Sequence, residues 1–162
     1  HSDKNTILGM TNHTYFTLGE EKNDGLKLTI PSHKFIETGK EDLLPLEEKI
    51  INPCLDFQKG KRLDKHIDDP YLQDHRSKGY DHYLHFEKDR SLTLRNDKYL
   101  LDITTDFDGV LIYSDNYAFN ETTINNRKGI RKALAVEPQD SPLERKSYSD
   151  YSRFIKYSFK KL

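Results

Sequence analysis

A histidine, an aspartate and a glutamate in this chain each stand where an extended segment meets a loop. His13 lies in the run Thr11-Asn12-His13-Thr14-Tyr15-Phe16, Asp81 in Gly79-Tyr80-Asp81-His82, and Glu137 in Ala135-Val136-Glu137-Pro138-Gln139-Asp140-Ser141-Pro142. Imidazole and carboxyl groups are the usual carriers of protons in catalysis, so three such groups converging from separate strands would supply a general acid, a general base and a carboxylate that binds hydroxyls. Singly, each has a plain structural reading, a hydrogen-bonded strand histidine or a solvated carboxylate at a strand end. Glu137 stands apart because Leu134, Ala135 and Val136 lead into it. A carboxylate leaving a buried strand is partly desolvated, which raises its proton affinity toward that of a useful base.

Strands are the elements that must position these groups. Leu26, Leu28 and Ile30 alternate with polar residues until Pro31. Tyr83, His85 and Glu87 face one way, with Leu84 and Phe86 the other. Leu92 and Leu94 precede the turn signal Asn96-Asp97, after which Tyr99 to Thr105 reads as a strand. Phe107-Asp108-Gly109 turns into Val110 to Ser114, Ala133 to Glu137 reads as a further strand, and in a last one Phe154 is followed at longer spacing by Tyr157 and Phe159. Alternation bounded by Asn, Asp, Gly and Pro is the pattern of half-buried antiparallel strands. Two segments lack it and read as loops: Glu37 to Lys49, and Lys59 to Gly79, the latter long enough to suggest a functional or mobile connection.

Composition agrees. Of 162 residues only three are alanine, the strongest helix former, against ten tyrosines and eight phenylalanines, which favour strands. The expected class is all-β, with helix confined to short turns. The 26 basic and 27 acidic residues leave a net charge of −1, no footprint for nucleic acid. No apolar run reaches the ~18 residues of a membrane span. The single cysteine, Cys54, cannot form an internal disulfide, which fits a reducing, cytoplasmic setting. His82 and His85 are three apart, so on a strand they face opposite sides and make no metal pair. Ser141 lacks the glycines of a nucleophile elbow. Lys156, Lys160 and Lys161 read as a solvated strand face.

The three runs, in order, resemble the motifs of the galactose mutarotase (aldose 1-epimerase) family. Asn12-His13-Thr14-Tyr15-Phe16 is similar to its Asn-His-Ser/Thr-Tyr-Phe-Asn-Leu, Gly79-Tyr80-Asp81-His82 to its Gly-Phe/Tyr-Asp-His, and Val136-Glu137-Pro138-Gln139 to its Glu-x-Gln. Pro53-Cys54-Leu55-Asp56-Phe57 and Gly109 to Asn116 are softer matches in the right places. The resemblance implies a large twisted antiparallel β-sandwich. It also implies interconversion of α- and β-anomers of a hexose such as galactose or glucose, without metal or cofactor. His13 would protonate the ring oxygen and Glu137 would take the anomeric hydroxyl proton, the two standing on either side of the ring. Asp81 would bind hydroxyls, and Tyr113 and Gln139 would contact the sugar.

This chain departs from the family pattern in four places. Thr17 replaces the Asn after Tyr-Phe, Leu111 stands where a glutamine is frequent, and Asp115 replaces a glycine. Family members are also about twice as long, with Asn-Arg and His-x-His-Gly-Gly segments in their N-terminal half that have no counterpart here. Residues 1–162 are therefore expected to be a C-terminal portion of one domain, inactive alone, whose partner is the missing N-terminal half. Two alternatives stand beside this. One is a non-catalytic carbohydrate-binding β-sandwich. The other is an epimerase of a phosphorylated hexose, for which Arg127, Lys128 and Arg131 are the candidate anion ligands.

Overall fold

In a computed structural model of the protein, residues 1–117, 129–144 and 146–162 are described. Their strands are β1 (Thr6–Ile7), β2 (Thr14–Phe16), β3 (Lys27–Thr29), β4 (Lys34–Thr38), β5 (Pro45–Ile50), β6 (Lys61–Arg62) and β7 (Asp81–His85). There follow β8 (Ser91–Arg95), β9 (Tyr99–Thr105), β10 (Gly109–Tyr113), β11 (Leu134–Gln139), β12 (Ser147–Tyr148) and β13 (Ile155–Lys161). The one α-helix among the described residues is the single turn Pro70–Gln73, opened by Asp69, whose side chain accepts the Tyr71 amide. Every strand pairing is antiparallel. The all-β, antiparallel fold expected from the sequence is the fold observed.

One sheet has six strands in the order β2-β11-β10-β7-β4-β5, a second has five in the order β13-β9-β8-β3-β6, and β1 and β12 form a small two-stranded sheet. Residues directly opposite across an antiparallel pair share a face, and alternate residues along a strand swap faces. On the inner face of the six-stranded sheet lie Phe16, Leu134, Val136, Val110, Ile112, Leu84 and Phe35. They form one contiguous core with Leu28, Leu92, Leu94, Leu101 and Ile103 of the five-stranded sheet. Burying this apolar surface is what holds the sheets together. The outer face of the six-stranded sheet is thereby left to carry polar groups.

Two loop expectations are corrected. Glu37 to Lys49 contains a hairpin, β4 and β5, with a register irregularity at Glu37/Thr38. All six residues of β5 are exposed, so an edge strand with no buried side has no alternation to read. Lys59 to Gly79 is largely irregular, yet Leu63, Ile67 and Leu72 are buried and join the core, which packs this segment down.

Buried Asn23 ties two site strands together. Its side-chain amide donates to the carbonyl of Ser114, just after β10, at 3.0 Å and to that of Ala133, just before β11, at 2.6 Å. Asn23→Ala leaves those buried carbonyls short of a donor, and urea unfolding is expected to register a loss of roughly 1–3 kcal/mol. Equal stability of the two proteins would rule out this role.

Candidate active site

The sheet order sets β2, β11, β10 and β7 side by side, and register places their polar residues. Tyr15, Ala135, Tyr113 and Asp81 form one cross-strand row on the outer face. Glu137, Leu111 and Tyr83 form the next, and Gln139, Gly109 and His85 the one after. His13 precedes Tyr15 by two residues and stacks its ring on that of Tyr15, with centroids 5.1 Å apart and planes 24° apart. His13 Nε2 is 3.1 Å from Glu137 Oε1. All five residues named from the sequence, His13, Glu137, Asp81, Tyr113 and Gln139, thus lie on one face of one sheet.

The environment of the pair is asymmetric. The Glu137 side chain is 8% exposed and that of His13 55%. Burial pushes the Glu137 carboxyl above its ordinary range; His13 pulls it back and the Asp81 carboxylate pushes it up again. Burial raises Asp81 to about 6, with His13 opposing. Two carboxyl groups of raised proton affinity beside an imidazole form a set able to exchange protons near neutral pH. In this chain the imidazole and the carboxylate are in direct contact.

Tyr113 stands between Asp81 and Ala135, edge-on to Tyr15 at 6.4 Å. Its hydroxyl accepts the Asn116 amide at 3.0 Å, while burial raises its phenol to about 12. Gln139 lies two residues beyond Glu137 on the same face, about 7 Å along the strand. The Tyr83 hydroxyl donates to its carbonyl at 3.3 Å. Gly109 is required there: an added Cβ would sit 2.4 Å from the Leu84 carbonyl oxygen and 2.5 Å from the Tyr83 ring. Pro138 is tolerated in β11 because β2 pairs only as far as Val136, so no neighbour seeks its missing N–H.

Two residues join the site that the sequence reading did not assign to it. Tyr15 is 45% exposed, and burial, then Asp115, Glu137 and Asp81, raise its phenol. Its two-residue spacing from His13 was the available signal. Asp115 has φ +55°, a left-handed conformation that explains a glycine at this position. Its carboxylate accepts the Lys132 amide at 3.2 Å.

Other sequence candidates fall elsewhere. His82 is 1% exposed on the core side, where its ring approaches those of Phe35, Tyr71 and His75, and burial lowers its pKa to about 3. His85 faces the opposite side and meets Glu48 at 3.2 Å. Among the described residues no cluster of three or more His, Cys, Asp or Glu is disposed to hold a metal ion. No helix of theirs is long and apolar enough to cross a membrane. Arg127 and Lys128 lie outside the described residues, and Arg131 is engaged with Asp24 at 3.5 Å.

The chain resembles solved structures over nearly its whole length. It matches a galactose 1-epimerase from Lactobacillus acidophilus NCFM with a TM-score of 0.84 and 26% identity, over 99% of this chain and 51% of that one. An aldose epimerase homologue from C. elegans matches with a TM-score of 0.78 and 20% identity, over 99% and 53%, a likeness of fold. The chain therefore spans about half the length of these proteins. No curated protein matches it. The family model for aldose 1-epimerase matches residues 1–153, and with that match over nearly the whole chain, the protein belongs to the aldose 1-epimerase family.

Proposed function

We propose that this chain contributes the acid–base pair of an aldose 1-epimerase acting on a hexose such as galactose or glucose, in the cytoplasm and without metal or cofactor. The observation that carries the reading is the contact of a buried carboxylate, Glu137, with an exposed imidazole, His13, beside Asp81. In the resting pair His13 Nε2 stands 3.1 Å from Glu137 Oε1. Glu137 takes the proton of the anomeric hydroxyl as His13 gives its proton to the ring oxygen, and the C1–O5 bond breaks. Rotation about C1–C2 and reclosure on the other carbonyl face, with the two proton transfers reversed, delivers the other anomer. Glu137 is the better base because burial raises its proton affinity. Tyr15 and Tyr113 offer ring faces to the apolar side of the sugar, and Asp81 and Gln139 accept or donate to its hydroxyls.

Because the chain spans half the length of its relatives, we further propose that residues from an upstream half of the same fold complete the site. Sugar binding tests the part this chain supplies. Titrating galactose into the 162-residue protein, followed by tyrosine ring NMR signals, is expected to give saturable shifts. Asp81→Asn is expected to weaken that binding by about tenfold, the loss of one charge-assisted hydrogen bond. Absence of saturable shifts would count against a sugar site on this face.

A further inference from the structure

Like charges are set directly opposite one another on the outer face of the five-stranded sheet. Lys27 on β3 faces Arg62 on β6 on one side and Arg95 on β8 on the other. The row continues through Leu100 on β9 to Lys160 on β13. Leu28 and Leu94, one residue along, are fully buried in the core, so alternation turns the cations outward, on the opposite side of the sandwich from His13 and Glu137. With strands ~4.8 Å apart, Arg62 and Arg95 flank Lys27 within a span of about 10 Å.

Facing like charges destabilise an antiparallel pair, and a neutral residue at position 27 would relieve both contacts at once. Nearby carboxylates compensate only in part. Asp64 holds Arg62 through two bonds, at 2.7 and 3.2 Å, and Glu20 accepts from the Asn96 side chain at 2.7 Å. Among the described residues Lys27 and Arg95 have no ion pair. The three cations line one cavity of about 300 Å³, with Glu20, Gly25, Asn96 and Asp97 completing its wall.

We propose that this cavity binds a small phosphorylated ligand of the size of a hexose monophosphate. Lys27, Arg95 and Arg62 take the phosphoryl oxygens, since ammonium and guanidinium groups form strong charge-assisted bonds to phosphate. The Glu20 and Asp97 carboxylates accept from hydroxyls on the rest of the molecule. The volume lies at the lower end for small-ligand sites. The same two carboxylates repel a continuous run of phosphates, which favours one phosphoryl group over a nucleic acid. The site lies apart from the His13–Glu137 pair, so it stands or falls independently of the proposed activity.

Thermal melting and NMR titration of the 162-residue protein with glucose 6-phosphate, inorganic phosphate and glucose test this, alongside Lys27→Gln and Arg95→Gln. Without ligand, Lys27→Gln is expected to melt about 1–3 °C higher, because opposed charges are removed. Glucose 6-phosphate is expected to raise the melting temperature of the unsubstituted protein saturably, and to bind either variant at least tenfold more weakly. Glucose is expected to produce no shift that either variant removes. A response to glucose 6-phosphate that both variants retain, no saturable response at all, or inorganic phosphate binding as tightly as glucose 6-phosphate would each overturn the assignment.

Discussion

Glu137→Gln is expected to slow anomer interconversion by about 10²–10⁴-fold while leaving fold and sugar binding intact. Glutamine keeps the size and planar shape of the side chain and loses only the ability to accept a proton. The assay is polarimetry on freshly dissolved α-galactose, with the chain joined to the half of the fold that it does not cover in its relatives. The loss is expected in the rate of turnover more than in the half-saturating sugar concentration, since the carboxylate acts on a proton that moves only in the transition state. His13→Asn is expected to act in the same direction. His13 and Glu137 share a 3.1 Å contact, so the double variant is expected to lose less than the product of the single losses. Unchanged turnover in Glu137→Gln would remove Glu137 from the mechanism.

Asp81→Asn is expected to stabilise the protein at pH 7.5 by about 3 kcal/mol and to leave it unchanged near pH 4. Burial raises the Asp81 carboxyl from 3.8 to about 6, the nearby His13 charge opposing. With the folded value above the unfolded one, the folded protein holds the proton more tightly. That contribution is fully present below about pH 4, declines as pH rises, and is gone above about pH 6. A shift of about two units corresponds to about 3 kcal/mol through proton linkage. Glu137 is raised in the same direction and steepens the decline. Asparagine resembles the protonated carboxyl, so the variant escapes the loss. Urea unfolding of both proteins at pH 4 and pH 7.5 measures it, and equal stability at pH 7.5 would refute the buried, charged state of Asp81. The expected pairing of a more stable protein with weaker sugar binding is the trade-off of a site that keeps a charge for function.

The sequence by itself determined the strands with one buried side. Leu28 and Leu94 alternate with polar neighbours and become paired core positions of β3 and β8. Asn96 and Asp97 mark the turn between β8 and β9 because Asn96 Oδ1 accepts the backbone amides of Lys98 and Tyr99, a bond the side chain makes locally. The β4–β5 hairpin was invisible because its outer strand buries nothing. Its support is cross-strand charge, Lys34 to Glu48 at 2.5 Å and Lys49 to Glu37 at 3.5 Å, and isolated charges read as loop. The motifs named His13, Asp81 and Glu137, which lie more than fifty residues apart at each step. Only the order β2-β11-β10-β7, a long-range pairing that no local pattern encodes, puts them on one face. The tertiary structure alone decided that His13 rests against Glu137. It alone brought Tyr15 within reach of Asp115, Glu137 and Asp81, because burial and charge proximity arise between strands and not along them.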